Sequence, residues 1–344
     1  MKKVLATLGH ADGTGSIVEL DLDRGIQLTL ISYTPAPELH VVDKGFTGAV
    51  WLGAPGQSDL VACSFNALHR FRGPKLDRHE ILHRPDMNDL HGVCRDGNRL
   101  LVANTGLDAV DVYDVGGSFL GGYRFEPTWM TTARWLGRTP TRDDHARLLA
   151  TGWSARAEAF DDDPPAGAYY QPTAGNPLHR RKLRDFVHPN HVAVVGDQIL
   201  VTRLTDRRVV DVSRQQVVLE APAPPHDGVL DGDRFWLTCV DGRIVAYEVR
   251  DGRATSKVAA TLDVSALSRC HGWCRGLAVT DTHIFVGFTA IRRTPQLPWR
   301  DHPLYATETA IVALDKSRLE FVATMRIGRD DSSPSKIFTL LPMS

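Results

Sequence analysis

Four polar motifs each stand at the start of a short apolar run: Asn88-Asp-Leu-His91-Gly, His188-Pro-Asn-His191, Pro225-His226-Asp-Gly228 and Cys270-His271-Gly-Trp-Cys274-Arg275-Gly. Neutral imidazoles offer lone pairs to a divalent ion such as Zn, Fe or Mn, which then acts as a Lewis acid or lowers the pKa of a bound water. His91, His191 and His226 are the candidate metal ligands. In the fourth motif Arg275 takes the matching place and would add a fixed positive charge, suited to a substrate carboxylate or a developing oxyanion. His188 and His271 are the candidates for moving a proton, because imidazole titrates near neutral pH. Cys274, beside His271, adds a possible thiol nucleophile. Each histidine also has an ordinary structural use in bonding to neighbouring backbone, and Asn88, Asn190 and Asp227 suit turns as well as a hard-cation site.

Chemistry of this kind needs distant residues brought together, and a repeat supplies the means. Short alternating runs bounded by Gly, Asp and Asn recur along the chain, as in RLLVANT, QILVTRL, RFWLTCV and HIFVGF, which is the pattern of antiparallel meanders. Aligned on Leu101, Trp236 and Phe285, the residues His91, His226 and Arg275 stand 10 positions earlier; His191 stands 9 before Leu200. A β-propeller accounts for this, since the innermost strands of successive blades line one axis and residues entering them converge at one mouth.

The count of runs predicts seven blades, with six as the fallback if the irregular fourth, built on 131–136 and 147–153, is an elaborated loop. The first blade has three strands, at 3–9, 15–23 and 26–34, and one apolar run at 336–341 is left over. Joining it to the first three closes the ring and removes exposed sheet edges. The chain therefore reads as a single propeller domain over 1–344 with lid-like insertions at about 154–176 and 289–308. Trp273, Tyr169, Tyr170 and Trp299 are the expected aromatic wall of the pocket, with Trp129, Trp153, His302 and Tyr305 on the same face.

A formal charge of -1 provides no basic field for a phosphate backbone, so no nucleic-acid partner is expected. Five cysteines without zinc-ribbon spacing suit reduced thiols, and the N-terminal apolar run breaks at Gly9-His10, too soon for a signal-peptide core or a membrane span. The expectation is a cytoplasmic protein with a small-molecule substrate and no membrane partner. Phosphate-cradling glycine loops and a serine nucleophile elbow are absent from the sequence.

Asp89-Leu-His91, Leu100-Leu-Val-Ala-Asn-Thr105, His188-Pro-Asn-His191, Pro225-His226-Asp-Gly228 and Arg275-Gly-Leu-Ala with His283-Ile-Phe-Val-Gly-Phe288 together resemble bacterial propeller proteins of unassigned function. The arrangement of inner-strand histidines is similar to seven-bladed metalloenzymes such as oligogalacturonate lyases and the four-histidine iron carotenoid oxygenases. It departs from the latter in presenting Arg275 where a fourth matched histidine is wanted, unless His271 or His188 substitutes, and from gluconolactonase-like propellers in lacking their acidic ligands. The resemblance implies the propeller fold and a metal site. From the residues, the expected activity is a metal-dependent lyase, isomerase or hydrolase, with an iron oxygenase or a non-catalytic propeller that binds a protein partner as the alternatives.

Overall fold

A computed structural model describes residues 2–54, 59–126, 138–146, 185–291, 307–328 and 335–343. These form six four-stranded antiparallel sheets, each a meander. Blade I joins the chain ends, with Lys336–Pro342 innermost, followed outward by Lys3–Gly9, Gly15–Asp21 and Ile26–Tyr33. Blade II is Ala49–Trp51, Asp59–Cys63, Ala67–Arg72 and Arg78–His83; blade III is Leu90–Asp96, Arg99–Asn104, Ala109–Asp114 and Phe119–Arg124. Blade IV is Pro189–Val195, Gln198–Arg203, Arg208–Asp211 and Gln216–Glu220; blade V is Pro225–Asp231, Arg234–Cys239, Arg243–Arg250 and Arg253–Asp263. Blade VI is Trp273–Val279, His283–Thr289, Ala310–Asp315 and Glu320–Arg326.

The closure of the ring through the chain ends is as expected; the count of seven is corrected to six. The innermost strand of blade III packs directly on that of blade IV, which leaves no place between them for the fourth blade that 131–136 and 147–153 were expected to build. Those two runs lie outside the described residues. The same neighbour contact repeats around the ring from IV to V, V to VI, VI to I, I to II and II to III.

Side-chain alternation explains why the core is divided among the blade interfaces. Successive residues of a strand face opposite sides, so Leu100 and Val102 pack towards blade II while Leu101 between them packs towards blade IV. Each of the six interfaces holds its own buried apolar cluster, such as Leu5, Ile17, Trp51 and Phe71 between I and II, or Trp236, Leu277, Ile284 and Val286 between V and VI. Strands buried on both faces read as continuous hydrophobic runs for this reason. Outermost strands are solvated on their edges, and no helix among the described residues is long and apolar enough to cross a membrane.

At the mouth the blades are tied by side chains as well as packing. Thr202, at the end of the second strand of blade IV, accepts from His191 N at 3.0 Å and donates to His226 O of blade V at 2.7 Å. Thr7 accepts from Thr339 N in blade I and donates to Thr47 O in blade II. Thr47 donates to Leu90 O in blade III, Thr105 to Pro189 O in blade IV, and Thr289 of blade VI to Ile337 O in blade I. Glycine permits the close approach that these bonds need: a Cβ on Gly48 would meet His91 O at 2.4 Å, and one on Gly92 would meet Asn190 O at 2.8 Å.

Deleting 335–344 should abolish cooperative unfolding, because blade I then loses its inner strand and the ring its closure; calorimetry showing a single transition near the wild-type temperature would count against the closure. Thr202→Val keeps the shape but leaves a buried N–H and a buried C=O unpaired, at about 1–3 kcal/mol each. Chemical denaturation should show a loss of that order, largely spared in Thr202→Ser.

Candidate functional site

Every inner strand but that of blade II carries a register shift near the mouth, and in blades III to VI the residues beside it belong to the motifs the sequence singled out. The shift falls between Leu90 and Val93, Pro189 and His191, Pro225 and Gly228, Cys274 and Leu277, and opposite Ala6 and Leu8 in blade I. A bulge of this kind bends the strand and re-aims its side chains. His91, His226, Arg275 and Phe338 therefore occupy equivalent places. In blade IV the extra residue is Asn190, which stands 10 before Leu200, whereas His191 is already paired with Thr202. The single-residue offset of His191 in the alignment reflects this change of place.

The rings that meet are consequently those of His91, His188 and His226. His91 lies 5.1 Å from His188 and 6.2 Å from His226 between ring centroids, with Phe338 also at 6.2 Å. His191 instead points Nδ1 at Asp227 Oδ1, 3.5 Å away. His271 precedes the inner strand of blade VI, and its carbonyl accepts from Glu308 N; among the described residues its ring meets none of the three histidines. Trp273 stands beside Arg275, whose guanidinium carbon is 5.7 Å from its ring. Tyr169, Tyr170 and Trp299 lie outside the described residues, as do Trp129, Trp153, His302, Tyr305 and most of both insertions. Cys274 is fully buried and burial pushes its thiol far above the usual range, which removes it as a nucleophile.

Each of the three converging rings has its Nδ1 held by an acceptor. His91 Nδ1 donates to Asp89 O at 2.9 Å, His188 Nδ1 to Asp185 Oδ2 at 2.9 Å, and His226 Nδ1 to Asp227 Oδ2 at 2.9 Å. That selects the tautomer with a proton on Nδ1 and leaves Nε2 as the basic nitrogen. His188 is also held in place through its backbone. The Asp108 carboxylate, on the turn that follows a short 3-10 segment in blade III, accepts from the N–H groups of Phe186, Val187 and His188 at 2.7, 3.0 and 3.1 Å. This fixes His188 in the left-handed region at φ 53°, where an unsupported histidine seldom rests.

Fixed charges surround the rings. Lys44 Nζ is 2.5 Å from Asp89 Oδ1, and Lys336 Nζ is 2.5 Å from Asp43 Oδ2. Burial lowers Lys336 to about 8, against the attraction of Asp43 and with help from Lys44 and Arg275 nearby. Burial alone would raise Asp227, but His226, His191 and the Gly276 N–H, at 2.6 Å, hold it below the usual carboxylate range. Burial pushes Arg275 down to about 10, opposed by Asp227, Asp43 and Asp89. Its guanidinium lies 4.2 Å from the Phe338 ring centre and its Nε donates to Thr289 Oγ1 at 3.3 Å.

As a metal site, the expected trio of His91, His191 and His226 does not converge, since His191 is turned to Asp227. No three His, Cys, Asp or Glu side chains among the described residues are disposed to hold an ion. Asn88 N donates to Asn104 Oδ1 of blade III, and Asn190 Nδ2 donates across to Pro225 O at the start of blade V. Sequence reasoning assigned no role to Asp185, Asp108, Lys44, Asp43, Lys336 or Phe338. Phe338 and Lys336 were accessible to it, because they lie on the strand identified as closing the ring; Asp108 acts across blades and left no local signal.

No family model and no curated protein matches the sequence. Among solved structures, a protein of unknown function from Bacteroides caccae is similar at 11% identity over 99% of this chain and 98% of that one, with a TM-score of 0.57. A protein from Bacteroides uniformis described as a "putative 6-phosphogluconolactonase" is similar at 13% identity over 96% and 84% of the two chains, TM-score 0.52. One from Bacteroides fragilis with the same description matches at 11% over 95% and 83%, TM-score 0.51. At these identities the likeness establishes the propeller fold alone.

Burial lowers the pKa of His191 and His226 despite the pull of Asp227, and lowers that of the buried His69 to about 3. A histidine depressed in the folded state takes up its proton first in the unfolded chain, so its contribution is complete above about pH 6.5 and shrinks as pH falls. The melting temperature should drop steadily from pH 7 to pH 5, and less steeply in a His191→Gln, His226→Gln double variant. Equal slopes would mean that folding does not lower the pKa of these two rings.

Proposed function

We propose that this propeller is a hydrolase for small anionic molecules carrying an ester or lactone bond, working at the mouth formed by blades I to VI. The observation that carries the reading is the Asp185–His188 pair at 2.9 Å, set against the ring of His91 and in the same mouth as Arg275. Asp185 holds the Nδ1 proton, so Nε2 of His188 can take a proton from an attacking water. Water oxygen then bonds to the carbonyl carbon, the C–O bond to the alcohol breaks, and His188 returns the proton to the departing oxygen. Arg275 receives the substrate's negative charge. The name that two structural neighbours carry, with its reservation, refers to hydrolysis of a lactone and agrees with this chemistry. All five cysteines are free, in keeping with a reducing, cytoplasmic setting.

A metal-assisted form of the reaction has one observation in its favour. Nδ1 of His91, His188 and His226 all face acceptors, the arrangement that ligating histidines adopt with Nε2 towards the ion. It requires these rings to draw together beyond their present positions, and no step above depends on it.

His188→Ala should lower kcat on a hydrolysed lactone or ester about 10²- to 10⁴-fold, the usual contribution of a general base. Asp185→Asn should lower it less and alter the pH profile, because the tautomer is no longer enforced. Elemental analysis belongs in the same experiment: stoichiometric Zn, Fe or Mn that disappears in His91→Ala supports the metal-assisted form. Full activity in His188→Ala would remove the assignment, and no turnover of any ester or lactone would favour a binding module.

A further inference from the structure

Among the described residues the charges closest to the three rings are paired, apart from Arg275. Lys44 is paired with Asp89 and Lys336 with Asp43, while Asp227 is engaged by His226 and by the Gly276 N–H. Arg275 has no carboxylate within ion-pair distance among the described residues, and its only hydrogen bond there is from Nε to Thr289 Oγ1. Its side chain remains partly accessible beside two aromatic rings, with the guanidinium carbon 4.2 Å from the centre of Phe338 and 5.7 Å from that of Trp273. A guanidinium taken out of bulk water without a carboxylate in direct contact is costly even with Asp227, Asp43 and Asp89 acting on it from further away, and a ligand that supplies the contact recovers part of that cost.

The kind of anion follows from the surroundings. With Nε occupied, the two Nη groups present a planar two-pronged edge, which matches the two oxygens of a carboxylate. One negative charge would neutralise Arg275. Among the described residues at the mouth a second would find Lys44 and Lys336 already paired, and it would face Asp227, Asp89 and Asp43, all close enough to act on Arg275 electrostatically.

We infer that the mouth selects a monocarboxylate, gripped by the Nη edge of Arg275 between Phe338 and Trp273, and discriminates against phosphate dianions. Resting on the hydrolase reading, this narrows the substrate to one bearing a free carboxylate besides the bond that is cleaved, and sets it apart from the phosphorylated lactone in the neighbours' name.

Isothermal titration and thermal shift with two matched pairs, D-gluconate against D-glucose 6-phosphate and benzoate against phenyl phosphate, test the inference on the full chain at pH 7.5. At least one carboxylate should bind 10-fold or more tightly than its phosphate partner, by analogy with one lost charge contact. Arg275→Met should abolish that binding, and Arg275→Lys, which keeps the charge and loses the fork, should weaken it while providing a second folded variant. Equal or tighter binding of the phosphates, carboxylate binding untouched by either substitution, or no carboxylate binding at all would each overturn the inference. His188→Ala is the control that separates the two claims: it should retain carboxylate binding while losing turnover. Selective carboxylate binding without any ester or lactone hydrolysis would sink the hydrolase reading and leave the selectivity standing.

Discussion

A threonine hydroxyl that accepts from its own blade's inner strand and donates to the next blade's is the interaction on which the mouth of this propeller depends. Thr202 and Thr7 do both, and Thr47, Thr105 and Thr289 supply the donating half at other interfaces. The need for these bonds comes from the bulges. A bulge that turns His91, His226 or Arg275 towards the axis also withdraws backbone groups from the sheet ladder, and buried backbone groups must find other partners. The threonines satisfy them and, in the same bonds, fix the spacing between blades. Geometry at the site and closure of the ring are therefore not independent properties.

Asp227 has a comparable place in the electrostatics. A single buried carboxylate receives His226 of its own blade, lies near His191 of the blade before, and accepts the Gly276 N–H of the blade after. Its charge keeps two buried rings in one orientation and offsets part of the cost of burying Arg275. The pairing of Lys44 with Asp89 and Lys336 with Asp43 has the opposite effect, removing two cations from reach of a ligand. Among the described residues this leaves the Arg275 guanidinium and the histidine rings of the mouth, of which His188 and His226 are oriented by carboxylates.

Much of this was legible along the chain because a propeller repeats one unit. Continuous apolar runs such as LLVA or FWL mark strands buried on both faces, and the leftover run at 336–341 against a blade short of one strand determined how the ring closes. The spacing of His91, His226 and Arg275 ahead of the second strands placed all three at the mouth, where they are found. These properties are local: they depend on the two-residue period of a strand and on the fixed offset between neighbouring strands.

Tertiary structure decided what local pattern cannot carry. Whether the chain between blades III and IV contributes a blade depends on whether those two pack against each other, which is a matter of ring closure and not of strand propensity. Whether His191 or His188 joins His91 and His226 depends on which residue of Pro189-Asn-His191 is bulged, and one position of slip reverses the side to which a side chain points. The partners that give the rings their chemistry are likewise distant or non-periodic: Asp108 reaches from one blade to hold the backbone of the next, and Lys336 meets Asp43 only because the chain ends share a blade. Sequence by itself determined the repeated unit, its closure and three of the groups at the mouth; their orientation, charge state and pairing arose only when six blades were closed on one axis, since a charge or a hydrogen bond acts through space and not along the chain.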